Sequence, residues 1–351
     1  MKLKIVNQST KVGDVDIVVI DNQKGLRVRL TSYGAAIHRI QMKNGNGHHD
    51  DVVVAPIDVN DFLVSDFYYG KLVGRTSGRL HAPSYQIADK QYPVTPFGGK
   101  TSKLHGGEKG FSFQHFTIEE QVVESDHASV TFRYFSQHLE EGYPGNLEVL
   151  ATYTLDVHDR LTLDIKAKSD RDTLCNITNH AYFNMGLPKN KIYDHELMIK
   201  ASRFLDIKPD FTLKAVRPVE GTPWDFRTPV RLGTAMEKML DTPFGGFDHN
   251  WLFDDHGPET PVIDLYEPET DRGLQMFTTY PSVVVYTHNR LSSAYLRQVP
   301  GESHHASLAI ECQYEPGGIH HPELSSAILP EGKPYHHQIV YQFYRRKHHE
   351  A

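Results

Sequence analysis

Glu311 stands in an otherwise uncharged run, Leu308-Ala309-Ile310-Glu311-Cys312-Gln313-Tyr314, which Glu315 and then Pro316-Gly317-Gly318 bring to an end. The Leu-Ala-Ile entry reads as a buried strand. A carboxylate at its mouth has the ionised form disfavoured unless charge or hydrogen bonds offset the desolvation. Such a group is a candidate acid or base; the alternative, a Glu whose head reaches solvent or an Arg, stays open at this point. A second cluster runs from Asn176 to Met185, dense in amides and aromatics around a single histidine, His180. A lone His among aromatics is more often a packed, hydrogen-bonded residue than a catalyst. Three turns present further polar groups: His105 in Leu104-His105-Gly106-Gly107, Arg75 and Arg79 in Gly74-Arg75-Thr76-Ser77-Gly78-Arg79, and Asp248 in Gly246-Phe247-Asp248-His249-Asn250-Trp251. Each reads as turn chemistry. Each also suits an aromatic-lined pocket in which a few polar side chains fix a ligand rich in hydroxyls.

The elements that must hold these residues are mostly strands. Leu161, Leu163, Ile165 and Ala167 alternate with Thr162, Asp164, Lys166 and Lys168, a period of two that predicts a half-buried antiparallel strand paired with 147–155. Segments 25–31, 51–55, 129–135, 197–200, 262–265, 283–286 and 338–344 continue the series. Helical signals are short: 59–63, with an Asn or Asp cap, and Thr234 to Leu240. No Gly-rich loop follows a strand and opens a helix, so a dinucleotide fold or P-loop has no support. The expectation is all-β, one large domain over residues 1–351 with two sheets packed face to face and a few short helices.

Composition bounds the partners. Hydrophobic residues at 39% and charged residues at 23% permit a sizeable core, and the net charge of −7 without a Lys/Arg run argues against nucleic acid. No signal-like start or membrane-length span is evident, so no membrane partner is expected. Cys175 and Cys312 lie far apart and fit a reducing cytoplasm. The 22 histidines include the adjacent pairs His48-His49, His304-His305, His320-His321, His336-His337 and His348-His349. Neighbours on a strand point to opposite faces and chelate one ion poorly, so the pairs are expected mostly at the surface and no metal is expected.

Taken in order, seven pieces resemble the aldose 1-epimerase (galactose mutarotase) family: residues 74–79, 104–107, Glu141-Gly142-Tyr143-Pro144-Gly145-Asn146-Leu147, 176–185, Gly221-Thr222-Pro223-Trp224-Asp225-Phe226-Arg227, 247–250 and Glu311. The resemblance implies the family's antiparallel β-sandwich, the mutarotase-like supersandwich. It implies Glu311 as general base, His180 as general acid, and Arg79, His105 and Asp248 on the sugar hydroxyls, with no cofactor. Interconverting α and β anomers takes a proton from the C1 hydroxyl and gives one to the ring oxygen. The ring opens, the C1–C2 bond rotates, and closure uses the other carbonyl face. A carboxylate and an imidazole on opposite sides of the hemiacetal suit this near neutral pH. Arg79 is also expected to keep Glu311 ionised.

The chain departs from the family pattern at Gly78, where many members have Asn, and at Val284, where some have Gln. It also departs at Lys109 to His115 and at Pro316-Gly317-Gly318-Ile319-His320. These changes surround the sugar, so they leave open glucose or galactose, a disaccharide such as maltose or lactose, or a hexose 6-phosphate. A phosphate would need extra cations at the rim. A non-catalytic sugar-binding domain is the reading from another class, and the presence of both Glu311 and His180 argues against it. Monomer and homodimer are both open.

Overall fold

The computed structural model describes residues 1–346, so the His348-His349 pair lies outside it. Three larger sheets carry the architecture, and every strand pairing within them is antiparallel. Five strands, Lys2–Thr10, Gly13–Asp21, Leu26–Thr31, Ala36–Lys43 and His49–Asp51, follow one another as a meander. A nine-stranded sheet runs in the spatial order 117–123, 127–136, 147–156, 160–169, 334–344, 272–278, 263–267, 196–199 and 230–231. A six-stranded sheet runs 182–183, 308–313, 282–286, 248–252, 203–207 and 213–218.

Side-chain alternation decides which faces meet. Leu161, Leu163 and Ile165 are 0% exposed, as are Leu147, Val149, Ala151 and Tyr153 on the paired strand. The hairpin closes where it does because Asp156 Oδ1 accepts from the backbone N–H groups of His158 and Arg160. These inner faces join Val18, Ile20 and Val28 of the meander and Val283, Val285, Ile310 and Cys312 of the six-stranded sheet in one hydrophobic cluster. Each large side chain buried there contributes about 1.5–3 kcal/mol. The result is a large antiparallel β-sandwich with few and short helices.

Some local expectations shift. The segment expected to be a strand from Asp51 to Ala55 keeps its burial but leaves the ladder after Asp51. Its amides are divided between two sheets: Val52 N–H donates to Ile40 O, Val54 N–H to Tyr182 O. The first helix, Val59–Val64, is capped by Asp58, whose carboxylate accepts from the Asn60 and Asp61 amides, while Asn60 Oδ1 accepts from Lys11 N–H. The second, Leu232–Met236, starts before Thr234 because the strand Val230–Arg231 runs straight into it. Among the paired histidines His48 and His336 are exposed, whereas His305 is buried against Tyr193 Oη and Gly245 O.

Candidate active site

The six-stranded sheet has one face in the core and the other under a cavity of about 640 Å³. On the strand Leu308–Gln313 the even-numbered Leu308, Ile310 and Cys312 enter the core, so Ala309, Glu311 and Gln313 point the other way. Cys312 therefore packs inside, as its alternation with Glu311 requires. Register carries this face across the sheet. Glu311 lies opposite Val284, and Val284 opposite Asn250; Ala309 lies opposite Tyr286, and Tyr286 opposite Asp248. Glu311, Gln313, Val284, Tyr286, Asp248 and Asn250 all line the cavity.

His180 is brought to Glu311 by its amide-rich neighbours. Asn176 Nδ2 donates to Tyr314 O and its Oδ1 accepts from Tyr314 N–H, while Thr178 Oγ donates to Cys312 O. Asn179 Nδ2 holds Gly70 O, and the His180 backbone bonds Lys71 O and Gly70 N–H. The segment is thus pinned to the strand bearing Glu311 on one side and to 70–71 on the other. His180 Nε2 lies 3.3 Å from Glu311 Oε1. Both side chains are buried, and His180 Nδ1 and Glu311 Oε2 have no hydrogen-bond partner among the described residues. The expected acid and base are in direct contact rather than facing each other across a gap. This suits a hemiacetal, whose two reacting oxygens share one carbon.

The loop bearing His105 covers the pair. His105 has φ 49°, and Gly106 after it has φ 86° with room for no Cβ, which would sit 1.9 Å from Gly74 O. The Gly78 amide donates to His105 Nδ1 at 3.2 Å, and the His105 ring meets His180 edge-on at 5.1 Å. Tyr68, at φ 55°, packs its ring against both imidazoles. Arg79 donates to Gly98 O and lies over the Phe211 ring at 4.1 Å, on the wall formed with Phe97, Leu213 and Phe244.

A sequence profile of aldose 1-epimerases matches residues 16–342. Galactose mutarotase of Mus musculus is 34% identical over 324 residues, covering 91% of each chain. The chain belongs to the aldose 1-epimerase family. Maltose epimerase of Levilactobacillus brevis is 26% identical over 334 residues, covering 95% of this chain and 96% of that one. The crystal structure of galactose 1-epimerase from Lactobacillus acidophilus NCFM superposes with a TM-score of 0.85 at 23% identity, covering 99% of this chain and 100% of the other.

In this epimerase-family chain, burial governs the charges. Burial, and after it the negative charge of Asp248, pushes the Glu311 carboxyl well above the usual carboxylate range. Burial pulls the His180 imidazole down to about 3. Both directions favour an uncharged pair that holds a single proton. Burial raises Asp248 to about 6 against the pull of Arg79 and Arg290. Arg79 does not keep Glu311 ionised, as was expected of it: the charge that acts on Glu311 is that of Asp248, which opposes ionisation, and Arg79 acts on Asp248 and His105.

His105, His180 and Glu311 offer ligand atoms within 4.8 Å of one another, enough to ask whether an ion fits. His105 Nδ1 accepts from Gly78, so the neutral ring carries its proton on Nε2, which can then only donate. Binding an ion there means giving up that proton or the Gly78 bond. The donor set fits hydrogen bonding to a sugar oxygen better than metal ligation.

Sequence reasoning missed Tyr68, Asn250, Arg290, Gln313 and the Phe211–Phe244 wall. The period of two places Gln313 on Glu311's face and Asn250 on Asp248's face, so those two were within reach. Tyr68, Phe211 and Phe244 come from separate loops that meet only in the fold. Of the positions that depart from the family pattern, Gly78 and Val284 line the cavity, as does Pro316 just before the departing Gly317-Gly318-Ile319-His320.

Proposed function

We propose that Glu311 and His180 are the base and acid of an aldose anomer interconversion. The observation that carries this is the buried 3.3 Å contact between Glu311 Oε1 and His180 Nε2 at the cavity floor. Burial favours the pair with its shared proton on Glu311. Passing it to His180 yields a carboxylate and an imidazolium, the base and acid together, without taking a proton from solvent. The bound sugar presents its C1 hydroxyl and ring oxygen to the pair. Glu311 takes the C1 hydroxyl proton while His180 protonates the ring oxygen; the ring opens, C1–C2 rotates, and the roles reverse on closure. His105 donates from Nε2, and Asp248 and Arg79 bind hydroxyls on the far side. The step moves protons alone, so the reading requires no cofactor.

Glucose- or galactose-type hexoses are the proposed substrates. A second reading, a disaccharide, is favoured by the size of the cavity. At the roughly 30 Å³ that a water takes in the liquid, about a dozen heavy atoms fill about 360 Å³, against a cavity of about 640 Å³. The outer wall of Phe97, Phe211 and Phe244 offers ring faces for a second sugar. A hexose 6-phosphate is less favoured, since the rim cation Arg290 faces Asp66 at 3.8 Å and Arg79 shares its field with the Asp248 carboxylate. We further propose that residues 1–351 act as one domain, as a monomer or homodimer, on free sugar in the cytoplasm. Two buried, unpaired cysteines support a reducing compartment. No helix among the described residues is long and apolar enough to cross a membrane.

Polarimetry of freshly dissolved α-glucose, α-galactose, maltose and lactose tests the reading. Acceleration of the optical change by the wild type, lost in Glu311→Gln, supports it. Binding of sugar with no acceleration points instead to a non-catalytic sugar-binding protein.

A further inference from the structure

Two carboxamides beside the reacting pair have hydrogen-bonding capacity that the fold does not use. Gln313 is 0% exposed, and neither its Oε1 nor its Nε2 has a partner among the described residues. Asn250 is 4% exposed, spends Nδ2 on Ser282 Oγ, and leaves Oδ1 unpartnered. Ser282 Oγ in turn donates to the backbone carbonyl of Gln313. The three side chains form a polar row across adjacent strands, and Gln313 and Asn250 both line the cavity. Folded proteins pair nearly all buried polar atoms. Unpaired amides under a cavity are therefore groups whose partner arrives with the ligand.

Their chemistry names the partner. A carboxamide presents a donor and an acceptor side by side, and a hydroxyl group can answer either. Gln313 follows Glu311 by two residues on one strand face, about 7 Å along it, a distance that a pyranose with its hydroxyls spans. Val284 lies between Glu311 and Asn250 and gives an apolar patch for the C–H face of the ring.

We propose that Gln313, assisted by Asn250, is a specificity-determining contact that binds a sugar hydroxyl remote from C1. The inference rests on the reading of Glu311 as the group acting at C1. With the anomeric centre fixed at Glu311, the Gln313 carboxamide exchanges hydrogen bonds with a hydroxyl at one further ring or hydroxymethyl position. A substrate lacking that hydroxyl leaves the amide buried and unpaired, and is disfavoured for that reason.

The test is a cycle of enzyme variant against sugar. Mutarotation is measured for wild type and Gln313→Met with glucose, galactose and the 2-, 3-, 4- and 6-deoxy analogues. The expected result is a loss of roughly 10–100-fold in wild-type kcat/KM for one of the deoxy sugars. The variant shows that loss with the parent sugar, mainly through KM, and no further loss with that deoxy sugar, while its pH profile stays that of wild type. A Gln313→Met that lowers every sugar by one common factor, or lowers none, overturns the proposal. Should Gln313→Met not fold, Gln313→Asn keeps the amide, withdraws it by one methylene, and runs the same cycle to the same two outcomes. A wild-type enzyme that turns over no aldose at all is a failure of the functional reading, distinct from either.

Discussion

Arg75 and Arg79 stand four residues apart in one turn and do opposite things. Arg75 is 2% exposed and fully engaged. Its guanidinium donates to Ser136 Oγ, Thr173 Oγ and the carbonyls of Ser136, Gln137, Pro144 and Gly145. It ties together four segments of the chain and leaves nothing for a ligand. Arg79 makes a single hydrogen bond, to Gly98 O, and otherwise lies on Phe211 in the cavity wall within the field of Asp248. The same contrast separates the amides. Asn176 is paired twice with Tyr314, whereas Gln313 is unpaired at the cavity floor. Polar groups whose partners are all internal hold the fold; polar groups left unspent beside a cavity wait for substrate.

The largest expected break falls on the unspent side. Glu311→Gln and His180→Asn each lower kcat by roughly 10²–10⁴-fold while the protein stays folded. Retention of near wild-type rates by both would falsify the acid–base assignment. The arginines then divide the effects. Arg75→Met strips donors from three buried carbonyls and a fourth half-buried one and lowers unfolding free energy by on the order of 3 kcal/mol, read by urea denaturation, with kcat of the folded enzyme close to wild type. Arg79→Lys keeps the charge but loses the planar fork and stacking, and raises sugar KM about tenfold without shifting the urea midpoint. Equal stability losses in the two variants would erase the comparison.

Asp248 gives a smaller, pH-dependent effect. Its folded-state carboxyl is raised to about 6 by burial, above its unfolded value, so its contribution to stability is present below the unfolded value and lost as pH rises through about 6. Asp248→Asn removes that loss. The variant is more thermostable than wild type at pH 7–8, and the difference vanishes below about pH 4. In wild type KM climbs as pH falls through about 6, because the neutral carboxyl holds hydroxyls less strongly; in the variant KM is high and flat across that range. The smallest effect is expected of EDTA, which leaves the rate unchanged. A loss on chelation, restored by a divalent ion, would recast His105, His180 and Glu311 as ligands.

Much of this was legible in the residues. Alternation along 161–167 fixed which side chains face the core, and the amide-rich surroundings of His180 marked it before their purpose was visible. What those amides do was not legible: they clamp His180 to the strand of Glu311 across 138 positions of sequence for the Asn176–Tyr314 pair. The segment 51–55 has the apolar content of a strand, but its amides divide between two sheets, a tertiary choice that local composition does not record. Arg79 was misassigned because proximity in a pocket does not say which of two carboxylates a cation faces. The aromatic wall escaped notice because Phe97, Phe211 and Phe244 are isolated in the chain and adjoin through loop packing alone.

Gly78 and Pro316 carry a consequence for how this site could change. At φ 67°, Gly78 presents its amide to His105, and a Cβ there would lie 2.6 Å from Pro316 Cβ. Any side chain placed at position 78 pushes on the proline ring, so the ring must shift to admit it. Changes at the two sites are therefore coupled, and a library that varies them together samples pocket shapes that single changes do not reach.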